Sequence, residues 1–480
     1  MARSRASGRI LAASLPILLS ACAAVPNLGA KPEMAAPSTF ASAKSFAAAQ
    51  GEWPSDGWWL RYRDPQLARL IDEALSNSPD LEAAAARMRA AEGFAQRAGA
   101  ALKPTVDAFA QPEQNKQSQN QAMPAAAIPN GWNSSGSAGL SLSLDLDLWG
   151  KNRAALRAAN ADADAARFEM EEARLALTTG IASTYADLAA LYAQRDTLES
   201  ALAIRTQTAK LVEQRTLSGL DTRAELKQSA ARIPQAQADL EATDEAIALT
   251  KNALAALVGN GPDRALTIDR PAVGALQAQG VPADASIELI ARRPDIAAAR
   301  ARVAGANDRI KEAKAAFYPN INLSALIGLS SFGLGNLFSG GSQFGSVSPA
   351  VSLPLFLGGA LQGQYRGRRG QYDEAVALYD REVIEALHET ADAVTSQKML
   401  VSRLANSRRA LADFEEANRL ARKRYEHGLS TYLDVLSAEE GVLEARLDVA
   451  TLEARAFTLD VQLVRALGGG FATPAPPAAA

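Results

Sequence analysis

Leu140-Ser-Leu-Ser-Leu-Asp-Leu-Asp-Leu148 alternates without a break over nine residues. A period of two puts all five leucines on one face of a strand and Ser141, Ser143, Asp145 and Asp147 on the other. Leucine toward lipid and Ser/Asp toward water, over about ten residues, is the pattern of a transmembrane β-strand; a half-buried strand of a soluble sheet carries the same alternation. Three further segments, 105–111, 320–329 and 346–357, read as strands, the last two less regularly. With 138–148 they make two pairs, each split by a polar loop rich in Gly, Asn and Ser. Four strands cannot close a barrel, and an open edge cannot face lipid, so the membrane reading requires several chains to complete one barrel.

Each strand pair sits inside a repeated unit. Pro79-Asp80-Leu81 opens an Ala/Arg-rich helical stretch that runs to Pro104, and 215 residues later Pro294-Asp295-Ile296 opens another that runs to Pro319. Gly219-Leu-Asp-Thr222 and Gly428-Leu-Ser-Thr431 align at an offset of 209, as do Val258-Gly259 and Leu467-Gly468. Four anchors in constant order indicate a duplicated unit of about 210 residues. Long helices follow each pair. From Lys151 to roughly Thr216 there is no proline and one glycine, Gly180; at about 1.5 Å per residue this helix reaches roughly 100 Å, beyond a globular domain. Leu443, Leu447, Ala450, Ala454, Phe457, Val461 and Val464 alternate spacings of three and four, a coiled-coil seam, and Leu188, Leu191, Leu198 and Leu202 do the same with Arg195 interrupting. Alanine at many seam and flank positions lets helices pack closely on two sides, as the wall of a tube requires.

The N-terminus bears on the compartment. Arg3, Arg5 and Arg9 precede the apolar run Ile10 to Leu19, too short to remain as a membrane span, which gives a signal peptide over 1–21. Leu19-Ser-Ala-Cys22 resembles the bacterial lipobox, which makes Cys22 the expected lipidation site; it is the only cysteine, so neither a disulfide framework nor a cysteine metal cluster accounts for it. Residue 23 is Ala, not the Asp that retains lipoproteins in the inner membrane, so the same resemblance implies the outer membrane. Residues 22–54, punctuated by glycine and proline, read as a tether. A formal net charge of -3 gives no electrostatic reason to expect nucleic acid as a partner.

Trp58-Trp59-Leu-Arg-Tyr-Arg-Asp64-Pro-Gln-Leu67-Ala-Arg-Leu70-Ile-Asp-Glu-Ala74-Leu resembles the N-terminal signature of the TolC-like outer membrane factor family, and Arg292-Arg-Pro-Asp-Ile296 with Phe317-Tyr-Pro319 resembles the opening of that family's second half. With the lipobox, the resemblance is to the lipoprotein branch typified by OprM and NodT, and it spans about residues 52 to 468. It implies an α+β membrane protein: a homotrimer in which each chain gives four strands to a twelve-stranded transmembrane β-barrel, continued by a periplasmic α-helical coiled-coil barrel. It also implies the partners: outer membrane lipid, a periplasmic adaptor (membrane fusion) protein and an inner membrane RND-type transporter. The expected organisation is a first repeat over 55–262, a linker over 263–285, a second repeat over 286–468 and a disordered tail over 469–480.

Tyr425-Glu-His-Gly-Leu-Ser-Thr-Tyr-Leu-Asp-Val-Leu-Ser-Ala-Glu-Glu440 gathers the groups most like an active site. Its histidine has no partner at a metal or catalytic spacing, and Glu439 and Glu440 diverge by about 100° around a helix. No phosphate loop, nucleophile elbow or zinc signature occurs, so no enzyme activity, cofactor or metal is expected. The mechanical reading uses more of the residues. Gly428 suits the positive-φ end of one helix and Ser430 or Thr431 the cap of the next, while Gly219 with Asp221 or Thr222 repeats the device. Six residues after each glycine stands an acid, Glu225 and Asp434. The family resemblance implies that these two turns are the periplasmic tips that close the tunnel, with Tyr425 holding them shut and Asp434 forming an acidic ring. Ser430 and Ser437 depart from the family pattern of an arginine and a second acid, which leaves Arg215 or Arg424 to contribute. The expected function is a passive efflux duct; a type I secretion duct and a structural periplasm-spanning lipoprotein are the alternatives.

Overall fold

The alternation at Leu140 builds a sheet that keeps its two faces apart. In a computed structural model of the chain, residues 25–36, 39–42, 44–47, 50–118, 120, 128–273 and 280–472 are described, the side chains of 286 and 287 excepted. The leader, Cys22 and residues 473–480 lie outside them. β1 (Thr105–Asn115), β2 (Asn133–Asp145), β3 (Asn320–Phe332) and β4 (Gln343–Ser352) form one antiparallel sheet in the order β1-β2-β3-β4. The register sets Val106 opposite Leu142, Leu142 opposite Ala325 and Ala325 opposite Val347, with Leu140 opposite Ile327 beside them. On the reverse face Thr105, Ser143, Ser324 and Ser348 make a polar row. Val106, Ile327, Val347 and Val351 are each at least 60% exposed, an aliphatic surface with no cover among the described residues.

The strand ends differ from those read in the sequence. β2 stops at Asp145 instead of 148, although the Leu146 N–H still donates to Ile321 O at 3.0 Å. Asp147 takes a left-handed φ of 44° and accepts from the backbone N–H groups of Asn152 (2.9 Å) and Arg153 (3.0 Å), which commits the chain to the next helix. β4 covers 343–352 instead of 346–357 because Pro354 withholds a ladder donor and Gly358 and Gly359, with φ of 58° and 87°, turn the chain. At the loop ends β1 runs on to Asn115, β2 starts at Asn133 and β3 runs on to Phe332, since backbone pairing continues where side-chain alternation has faded.

Among the described residues the α-helices are α1 (Pro65–Asn77), α2 (Pro79–Ala100), α3 (Lys151–Leu217), α4 (Arg223–Leu257), α5 (Ala285–Arg292), α6 (Pro294–Ala315), α7 (Ala360–Glu426) and α8 (Tyr432–Ala466). The duplication is visible in their lengths: α2 and α6 have 22 residues each, α3 and α7 have 67, and α4 and α8 have 35. A 67-residue helix extends about 100 Å. Among the described residues no helix is long and apolar enough to cross a membrane.

The chain divides into two compact units. The first holds Met88–Ala166, Ala299–Tyr379 and the described residues up to Met34, and contains the sheet. Within it, part of the expected tether lies against helix: the Arg369 guanidinium donates to the carbonyls of Gly29 (3.3 Å) and Ala30, the Tyr372 hydroxyl to that of Pro32 (3.1 Å), and Lys31 to Asn307 Oδ1 (2.7 Å). The second unit, Ala35–Arg87, Arg167–Ala298 and Asp380–Ala480, centres on Trp58, Trp59, Tyr62, Leu67, Leu70 and Ile71 packed with Tyr185, Leu188, Leu254, Phe457 and Val461. Buried Asp64 fixes this core by accepting from the N–H of Gln66 (2.9 Å), the Tyr185 hydroxyl (2.7 Å) and the N–H of Ala272 (2.8 Å). Phe471, in the expected tail, stands edge-on to Phe168 at 6.0 Å. The α8 seam holds at Phe457, Val461 and Val464 but shifts by one or two residues toward its start, where Val442, Ala445, Val449 and Leu452 are buried.

Candidate gate at the paired helix turns

Two turns of matching geometry carry the candidate residues. Gly219 (φ 75°) ends α3, with Leu220 N–H donating to Arg215 O at 2.8 Å; Gly428 (φ 73°) ends α7, with Leu429 N–H donating to Arg424 O at 2.7 Å. A six-to-one bond closed over a left-handed residue favours glycine at both positions. Thr222 then caps α4: its N–H donates to Glu225 (2.6 Å), and Glu225 N–H donates to the Thr222 hydroxyl (3.4 Å). Thr431 opens α8, with both its N–H (2.8 Å) and its hydroxyl (2.9 Å) donating to Asp434 Oδ2. Glu225 and Asp434 therefore do the same local work, each carboxylate sitting at a helix N-terminus. The hydrogen bonds from the Thr431 backbone and hydroxyl hold the Asp434 carboxyl below its ordinary range, with a smaller effect from Arg424.

Beneath the turns lies a buried cluster of Val212, Tyr425, Tyr432, Val435 and Leu436. Tyr425 has no exposed surface. Its hydroxyl donates to Asp221 Oδ2, the same oxygen that accepts from Arg215 Nε at 3.0 Å. The Arg215 guanidinium lies over the Tyr425 ring at 4.3 Å from its centroid and donates to Tyr425 O at 2.8 Å. Burial, then the bond to Asp221, pushes the Tyr425 hydroxyl up, so it stays protonated and donating. One arginine, one aspartate and one tyrosine thus tie the α3–α4 turn to the α7–α8 turn. A shell of polar contacts backs them: Thr208 donates to Glu439 (2.6 Å), and Arg232 pairs with Glu440 (2.7 Å).

The structure brings Tyr425 to Asp221 and Arg215, and sets Asp434 and Glu225 apart from them as caps. Arg424 donates to the Leu429 carbonyl at 3.4 Å, and Ser430 makes a long contact of 3.5 Å to Ala421 O. His427 Nδ1 lies 2.7 Å from Lys423 O at the end of α7, a turn role. The sequence reading kept Asp221 as a possible cap and missed it as the acid beside Tyr425; the one signal for it was that Asp221 stands where the second turn has Ser430. Leu217, Leu220, Leu429 and Leu433 around the turns are 58–84% exposed. Among the described residues no group of three or more His, Cys, Asp or Glu side chains could hold a metal ion.

A family model described as outer membrane efflux protein matches residues 70–260 and 286–469. The chain is 31% identical over 430 residues to the multidrug resistance outer membrane protein MdtP of Escherichia coli, covering 87% of each. It is 29% identical over 414 residues to the solvent efflux pump outer membrane protein SrpC of Pseudomonas putida, covering 85% of this chain and 86% of the relative. Its fold matches the crystal structure of the outer membrane protein VceC of Vibrio cholerae with a TM-score of 0.84 at 44% identity, over 87% of this chain and all of that one.

Proposed function

The chain belongs to the outer membrane efflux protein family and is an outer membrane efflux channel, and from that we propose that it is the passive exit duct of a tripartite efflux system. In this reading three copies close one barrel, Cys22 carries lipid, and an inner membrane RND-type pump delivers substrate through a periplasmic adaptor. The observation that carries the proposal is the two-faced sheet with open edges. Among the described residues β1 and β4 each leave one edge unpaired, and a lipid-facing sheet tolerates none. Neighbouring chains satisfy those edges, and three sets of four strands make a barrel of twelve. Helices about 100 Å long supply a tunnel wall.

The export of small molecules, not proteins, is supported by relatives named for multidrug resistance and for solvent efflux. The Tyr425–Asp221–Arg215 cluster holds the two turns together and represents the closed gate; Gly219 and Gly428 shape the tips, and Glu225 and Asp434 place charge at them. The exposed leucines of the turns are where an adaptor docks, and a partner that binds the parted form better shifts the population toward it. The pump supplies the energy and the duct performs no reaction. Full-length protein should run as a heat-modifiable trimer on gels and give discrete conductance steps in planar bilayers. A monomer without conductance would end the proposal.

A further inference from the structure

The register places Phe109 opposite Gly139, Gly139 opposite Gly328 and Gly328 opposite Phe344, one row across all four strands. Parity puts this row on the polar face, since Phe109 is two residues from Asp107, Gly139 two from Ser141 and Phe344 two from Ser346. A Cβ at Gly139 would stand 2.4 Å from Ile327 O and 3.1 Å from a ring carbon of Phe109; one at Gly328 would stand 2.4 Å from Ala138 O and 3.1 Å from a ring carbon of Phe344. Both rings therefore lean over bare backbone, and each is half-buried. The result is an aromatic stripe lying across the strands of a face otherwise dominated by Ser, Asn and acids.

Charge selects among the solutes such a stripe could meet. The same face carries Asp107 and Glu113 on β1 and Asp145 on β2, and no Lys or Arg occurs in any of the four strands. Aromatic rings beside carboxylates favour a solute with a flat apolar body and a positive charge, and disfavour an anion of the same shape. We propose that the Phe109–Phe344 row is a contact site for aromatic organic cations on the water-facing wall of the barrel. It rests on the duct reading, in which three copies set six rings at one level that every permeating solute passes.

The test is block of single-channel current by ethidium, added on the side of the β1–β2 and β3–β4 loops and expressed as a fraction of each protein's own unblocked conductance. Tetraethylammonium and a naphthalene disulfonate serve as aliphatic-cation and aromatic-anion controls. Wild-type protein should be blocked by ethidium more than by either control. Phe109→Ala/Phe344→Ala should weaken ethidium block about five-fold or more, and Asp107→Asn should weaken it as well. Should the alanine pair fail to assemble, Phe109→Leu/Phe344→Leu keeps an apolar cover over the glycines and should still lower ethidium block. Conductance with ethidium block unchanged in the variants, or no stronger than the controls in wild type, overturns the site and leaves the duct standing. No wild-type conductance at all removes duct and site together.

Discussion

Tyr425 shows how much one side chain can carry when it is buried and its hydroxyl has a charged acceptor. Tyr425→Phe keeps the ring under Arg215 but removes a hydrogen bond to a carboxylate, worth about 1.5–3 kcal/mol. Higher resting conductance should follow; conductance equal to wild type would take Tyr425 out of the latch. Asp434 is a companion case with two roles to separate. Asp434→Ala and Asp434→Asn both delete the charge and should weaken block by divalent cations, while only the alanine also loses the acceptor at the start of α8, about 1 kcal/mol. Undiminished block in Asp434→Asn would remove the acid from the constriction. Glu172 gives a pH dependence. Burial, then the charge of Asp295, pushes its carboxyl up to about 7, with Arg465 opposing at 3.6 Å. The folded state therefore holds a proton that the unfolded chain releases nearer 4.5, so this stability is present at acidic pH and lost as pH rises through about 7. Glu172→Gln should raise the melting temperature at about pH 8 and barely change it at about pH 5; an equal change at both would refute the assignment. At this scale the sequence named Tyr425 through family resemblance. Its bond to Asp221 spans 204 positions and no local spacing announces it.

The elements were more legible than the residues because their signals are periodic. Proline-free runs gave α3, and alternation gave β2, but their ends depended on the backbone. Pro104 and Pro319 follow helical stretches that end before them, yet Pro234 sits inside α4 without ending it. A proline stops a helix only when nothing else compensates for the lost bond and the clash. The sheet's faces make a sharp comparison. Leu142→Lys places a charge on the aliphatic face at a cost of about 2–4 kcal/mol if that face meets lipid, whereas Ser141→Lys, one residue away, points to water. Heat-resistant assembly on gels should fall for the first and persist for the second; equal tolerance of both would mean that the leucine face does not meet lipid.

At the scale of the whole molecule, the described residues leave an aliphatic sheet face uncovered and two strand edges unpaired. Heat-modifiable trimers with conductance are the expected outcome, since three protomers satisfy both at once.

The sequence by itself determined the duplication, the two faces of β2 and the length of α3, because these rest on periods of two and about 210 residues and on a proline-free run, and it pointed to the family through the resemblance of its motifs. Only the tertiary structure decided which acid meets Tyr425, that Glu225 and Asp434 cap helices, and that two phenylalanines lie over two glycines. Those facts depend on the register between distant strands and on the pairing of distant turns, where a shift of one residue changes the partner and leaves the local pattern intact.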